Sequence, residues 1–127
     1  MTQSDGTTLN KRQIGKAHEE EAARYLQSKH YRIREMNYRC RQGEIDIIAE
    51  DGRYLVFVEV KYRRSASSGT PLEAVGAAKQ RQISRVALFY LSYHRMDENR
   101  PIRFDVIGIT PEGLTHIENA FDFRPRR

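Results

Sequence analysis

A chain of 127 residues with a net charge of +5 and a pI near 9.6 has room for one core, so its length argues for a single domain. The excess of Lys and Arg favours a polyanionic partner, nucleic acid ahead of an anionic membrane surface. One cysteine, Cys40, excludes an internal disulfide, no apolar run nears the roughly 18 residues of a membrane span, and MTQSDGTTLNKR lacks an apolar signal segment, so a cytoplasmic protein without membrane attachment is expected.

Polar, aperiodic residues predict a flexible N-terminal arm over 1–12, followed by one domain over 13–121 and a frayed, basic C-terminal tail over 122–127. From Gln13 to Lys29, Ile14, Ala17, Ala22, Tyr25 and Leu26 recur with helical period on one side. Tyr31 to Asn37 alternates weakly and reads as a first strand, and Arg39 to Gly43 as a basic turn. Gly43 to Glu50 and Arg53 to Tyr62, rich in Ile, Val and Phe, are two strong strands. After the small polar loop RRSASSG, Thr70-Pro71-Leu72-Glu73 has the composition of a helix start. That helix is expected to run to about Tyr93, with Gly76 a weak point. Strands at Arg103–Thr110 and Leu114–Glu118 complete the order α-β-β-β-α-β-β, an α/β (α+β) mixed sheet flanked by helices.

The two strong strands, GEIDIIAEDGRYLVFVEVK, carry the unusual feature. Alternation puts Glu44, Asp46 and Ile48 on one face, and Leu55, Phe57, Glu59 and Lys61 on one face of the next strand. With Asp51-Gly52 as the connecting turn, Glu50 pairs with Arg53, Glu44 lies opposite Glu59, and Asp46 lies opposite Phe57, diagonal to Glu59. Like charges placed opposite each other destabilise a strand pair, so a positive group is required there. A solvated face on which Lys61 pairs one acid is the ordinary explanation. Ile48, Leu55 and Phe57 on the same face, and Val56, Val58 and Val60 on the other, instead describe a central strand with a cleft at its end. Hard oxygen donors of this kind suit Mg²⁺ or Mn²⁺. Asp46 and Glu59 would hold the ion, with Glu44 on the same face as a further ligand and Lys61 beside it.

Asp46 followed by Glu59-Val60-Lys61 resembles the PD-(D/E)XK motif of restriction-endonuclease-like nucleases. More narrowly, GEIDIIAEDGRYLVFVEVKYR, GTPLEAVGAAKQRQI and RFDVIGI resemble the YraN family of small bacterial proteins, similar in turn to archaeal Holliday-junction resolvases. The resemblance implies a restriction-endonuclease-like fold and a metal-dependent nuclease. It further implies a branched DNA substrate rather than RNA, a homodimer, and the Val60 carbonyl as an added ligand. A nucleic-acid-binding or adaptor module that keeps the fold without turnover is the alternative.

Such nucleases add an acid from the first helix. Helical projection leaves Glu19 and Glu21 both eligible, and the resemblance, through a G-x-x-x-E pattern counted from Gly15, favours Glu19. His18 departs from the glycine such proteins have there, which bears on how closely the helix packs. Lys79 is either a lysine at a helix margin or a phosphate contact. Arg39, Arg41, Arg63 and Arg64 flank the acidic strands as a phosphate track or as scattered surface charge. Asp105 reads as an ion-pair partner within the sheet. The four histidines have no metal-ligand spacing, and Cys40 has no base beside it.

Overall fold

Eight elements follow one another in a computed structural model that describes residues 10–65, 69–97 and 99–125. They are α1 (Lys11–Ser28), β1 (Arg32–Cys40), β2 (Gly43–Asp51), β3 (Tyr54–Tyr62), a 3₁₀ turn (Leu72–Ala74), α2 (Ala77–Tyr93), β4 (Ile102–Thr110) and β5 (Gly113–Ile117). The order is the expected α-β-β-β-α-β-β, and the five strands form one mixed sheet in the order β1-β2-β3-β4-β5. Only β3 and β4 are parallel, and a parallel pair needs a crossover, which α2 supplies.

β3 is central and buried on both faces, as its near-continuous apolar run requires. On one face Leu55 and Phe57 meet Ile83, Val86, Ala87 and Tyr90 of α2. On the other, Val56 and Val58 pack with Ala22 and Leu26 of α1. Among the described residues no helix is long and apolar enough to cross a membrane.

Several boundaries differ from those expected. Asn10 caps α1 through a reciprocal pair of bonds with Gln13, so Lys11 and Arg12 are helical rather than part of an arm; residues 1–9 lie outside the described residues. Ile14 and Ala17 are exposed, and α1 meets β3 at His18, whose ring stacks on Tyr62 at 4.0 Å. β1 runs on to Cys40, leaving only Arg41-Gln42 as the turn before Gly43. The long helix expected from Thr70 is broken at Gly76. Thr70 and Glu73 do exchange bonds of 3.2 and 2.7 Å, but these brace the loop entering the short 3₁₀ turn, whose N-cap is Pro71, and Gly76 serves as N-cap of α2. Pro71 fixes that turn, because its ring lies on Gly108 of β4 where a Cβ would overlap it. The tail is docked, not frayed, over residues 121–125: Phe121 and Phe123 stack on Phe104 at 5.1 and 6.0 Å, and the Arg124 amide donates to Ser84 Oγ at 2.8 Å. Residues 126–127 lie outside the described residues.

Asp105 is an ion-pair partner within the sheet, as expected. Fully buried, it accepts from Arg103 Nε and Nη2 at 2.9 Å each and from the Asn119 amide at 3.0 Å, and it lies 2.7 Å from His116 Nε2. Burial alone would raise its pKa; the bonds from His116 and Arg103 outweigh it and hold the carboxyl below its ordinary value. Tyr25 of α1 bonds His116, and Arg103 donates to Tyr31, so this polar cluster ties α1 to β4 and β5.

Candidate active site

The β2–β3 hairpin turns at Gly52-Arg53, one residue later than expected, because Gly52 with φ 59° takes the first central position of the turn. Asp51 pairs with Tyr54, Glu50 with Leu55 and Ile48 with Phe57. The expected pairs Glu50–Arg53, Asp46–Phe57 and Glu44–Glu59 are therefore all displaced by two residues. A shift of two keeps every side chain on its face, so the error moves neighbours without inverting the strand.

Simple alternation fails nearer the site. Ile45 and Ile48 both join the α2-side core, three residues apart, and across the ladder Glu35 and Tyr38 both approach Tyr90. Between the pairs Met36–Ile47 and Tyr38–Ile45 sit Asn37 and Asp46, and Asn37 has a left-handed φ of 54°. Alternation thus breaks on both strands at once, a paired bulge that leaves the register unshifted; the register shift of this ladder falls earlier, between Ile33 and Glu35. The β2–β3 ladder stops at Ile47–Val58, and beyond it the Asp46 carboxylate accepts from the Val60 amide at 2.8 Å, filling a place a backbone carbonyl would take. Asp46 accordingly does not share a plain strand face with Glu44. It stands in the opening where β2 and β3 part.

Glu59 reaches this opening from the α2 side of the sheet. It is 6% exposed, with Lys61 Nζ at 3.4 Å and Lys79 Nζ at 3.8 Å from the same carboxylate oxygen. Burial, then the charge of Asp46, raise its pKa to about 7 against the pull of the two lysines. Glu19 arrives from α1. Burial, the charge of Asp46 and a hydrogen bond shared with it also raise Glu19 to about 7, while a bond from Asn37 acts the other way. Of the two helix acids, Glu19 lies beside Asp46 and Asn37, while Glu21 turns to His18 at 3.3 Å.

Beside Glu19 a hollow of about 310 Å³ opens between the start of α1 and β1–β2. Lys11, Arg12, Lys16 and Arg39 give it a basic wall, and Glu44, 3.7 Å from Arg39, lies at its edge. The remaining basic residues gather at the same end of the sheet, since the start of β2 and the end of β3 are antiparallel neighbours. Arg41 is exposed in the β1–β2 turn and Arg64 just past β3; Arg63 is tied down by its amide to Ile109 and by Nη1 to the Tyr62 carbonyl at 3.2 Å. Asn37, Lys11, Arg12 and Lys16 were not among the residues expected at the site. An Asn inside a strand run, where that residue is depleted, was the available signal for the first; the basic residues in the first two turns of α1 were the signal for the others.

Among the described residues no three His, Cys, Asp or Glu side chains stand close enough to hold a metal ion as they are. The donor chemistry nevertheless suits a hard divalent cation. Every candidate donor is oxygen, and burial, then the charge of Asp46, raises both Glu19 and Glu59, a cost that a cation among them would offset. Val60, between Glu59 and Lys61 on the central strand, holds Asp46 through its amide.

A model of the uncharacterised protein family UPF0102 matches residues 18–109. The chain belongs to this family. It is the YraN family whose segments the sequence resembles. A UPF0102 protein of Lachnoclostridium phytofermentans is 49% identical over 114 residues, covering 90% of this chain and 97% of that protein. One from Syntrophus aciditrophicus is 53% identical over 112 residues (85% and 87% covered), and one from Geobacter sulfurreducens 49% over 128 residues (96% and 98%). The UPF0102 match spans Glu19, Asp46, Glu59, Lys61 and Lys79, whereas Lys11, Arg12 and Lys16 precede it.

Proposed function

We propose that this UPF0102 protein is a restriction-endonuclease-like nuclease that hydrolyses nucleic-acid phosphodiester bonds with Mg²⁺ or Mn²⁺. The observation that carries this is the convergence of Glu19, Asp46 and Glu59, from a helix and two strands, on one opening where two lysines share the Glu59 carboxylate. Asp46 and Glu59 would hold the ion, with Glu19 or Glu44 and the Val60 carbonyl as further donors. When bound, the ion supplies Lewis acidity and neutralises charge on the leaving oxygen.

The chain's own residues do the rest. Lys61 sits at the rim of the opening, where its ammonium can orient the attacking water and stabilise the negative charge that gathers on the phosphorane. Lys79 shares Glu59 in the free protein and turns to a phosphate oxygen when the carboxylate is otherwise engaged. The basic wall of Lys11, Arg12, Lys16 and Arg39 leads the backbone in, with Arg41, Arg63 and Arg64 on the farther side. Resemblance to the junction resolvases extends the proposal to branched DNA rather than RNA, to a homodimer and to a cytoplasmic setting.

Two observations favour a binding or adaptor module instead: the Asp46 carboxylate is already engaged by Val60, and no closed three-ligand set stands ready among the described residues. Incubating the protein with plasmid, single strands, four-way junctions and RNA, in Mn²⁺ or EDTA, separates the two. Cleavage in Mn²⁺ that EDTA abolishes is expected. Asp46→Asn and Glu59→Gln should lose metal binding and cleavage together, while Lys61→Ala keeps the metal and slows cleavage by about 10²–10³. Binding without cleavage by the parent protein establishes the adaptor role. An Asp46→Asn protein that cleaves as well as the parent removes the assigned site.

A further inference from the structure

The exposed side of α2 carries a feature that the nuclease site does not use. Ile83, Val86, Ala87 and Tyr90 face the sheet, and the opposite side presents Leu88, 45% exposed, Phe89, and Tyr93, 71% exposed. Spacings of three and four put Arg81 and Arg85 on that same side, two turns and one turn before Leu88 respectively. The docked tail adds Phe123 and Pro125 alongside. Two hollows of about 340 and 390 Å³ lie along this surface and share Leu88 and Ser92, which makes them one groove. Exposed aromatic and aliphatic side chains gathered around a groove mark an interaction surface rather than scattered apolar residues.

The charge around it indicates the occupant. Arg85 borders one hollow and Arg95 the other, where Asp97 is the one carboxylate among the described lining residues; Arg81, Arg85 and Arg95 form no ion pair among the described residues, and Arg100 is offset by Glu50 at 2.9 Å. A second copy would bring to this groove more arginine than acid, since Asp97 is its one described carboxylate against Arg85, Arg95 and Arg100. A phosphate backbone matches the arginines but leaves both apolar hollows unfilled. We propose that the groove docks an acidic amphipathic segment of another protein, whose apolar side chains enter the hollows while its Asp and Glu meet Arg81, Arg85 and Arg95. The surface is separate from the acidic opening, so it would recruit a partner to the enzyme or adaptor without entering the reaction.

Random peptides of about 16 residues, four to five helical turns, panned against the full chain and then titrated by fluorescence anisotropy, test this. Recovered sequences should combine Leu, Met or aromatic residues three or four apart with Asp and Glu. They should bind Leu88→Gln about ten-fold more weakly, and Arg85→Glu several-fold more weakly with a shallower salt dependence. Leu88 is exposed, so its replacement spares the core, and unchanged circular dichroism together with unchanged nucleic-acid binding would show that the variant is folded. Failure to recover peptides, recovery of basic ones, or equal affinity for both variants overturns the proposal. Loss of oligothymidylate binding in Leu88→Gln would assign the groove to nucleic acid, and a dimer that Leu88→Gln dissociates in sedimentation would assign it to a second copy; each result overturns the peptide assignment.

Discussion

Glu59 is the residue on which opposing forces are most evenly matched. Burial and Asp46 favour its neutral form, and Lys61 and Lys79 favour its charged form; the balance lies at about 7, above the ordinary 4.5. Glu19 is raised to about 7 by burial and the same neighbour. Between the ordinary value and about 7 the folded protein therefore holds protons that the unfolded chain has released. The sign follows: stability of the metal-free protein falls as pH rises through that window. Asp105 acts oppositely, because its pKa is lowered; its contribution is present above 3.8 and is lost as pH falls through the folded value. Urea titrations in EDTA should show declining stability from about pH 5 to 7.5, with a smaller decline in Glu59→Gln. An identical slope in that variant would mean that other groups titrate there. In cleavage assays the same protons compete with the cation, so activity should rise across this range.

At the scale of elements, the paired bulge in β1 and β2 does the positioning. Without it Asp46 would stay in register on a strand face; with it, the carboxylate turns to Val60 and the strands part. Much of this architecture could be read in advance. Element order, the central place of β3, the half-covered face of Glu59 and the role of Asp105 all follow from apolar runs and the period of two. The turn position depended on which residue takes the left-handed place in a Glu-Asp-Gly-Arg run, and a two-residue choice there left faces intact but changed every partner. The bulge was invisible because a period of two contains no term for an extra residue in each of two paired strands. Helix α2 was expected to begin at Thr70 because the capping signature is real; what local sequence does not carry is that Pro71 rests on Gly108, 37 positions downstream, and stops the first turn. Asn37 tests the bulge. Asn37→Gly keeps the left-handed backbone and removes only the bond to Glu19, whereas Asn37→Val places a β-branched residue at φ 54°. The valine should cost about 1–3 kcal/mol in urea unfolding and displace Asp46, lowering metal affinity well beyond the glycine variant. Equal metal affinity in the two would show that the bulge does not place the carboxylate.

Across the whole molecule, the charge is arranged as two basic groups around an acidic opening. Lys11, Arg12, Lys16 and Arg39 line the hollow on the α1 side, while Arg63 and Arg64 leave the end of β3 on the other. A net charge of +5 is small for a nucleic-acid protein, so affinity should depend on this local arrangement more than on the total. If the backbone crosses the opening, both groups neutralise phosphates. Removing one such cation should then flatten the plot of log affinity against log salt by about 0.7 for single strands or 0.9 for duplex. Paired substitutions separate the groups: Lys11→Ala with Lys16→Ala, and Arg63→Ala with Arg64→Ala, each measured in EDTA so that no cleavage intervenes. The expected result is a slope reduced by about 1.4 to 1.8 in each double variant, the loss of affinity being similar for unrelated sequences because phosphates carry no code. A slope changed only by the α1 pair would mean that the strand ends in the hollow without crossing Glu59. That path would place the scissile bond out of reach of Lys61 and leave the protein a binder of nucleic-acid ends.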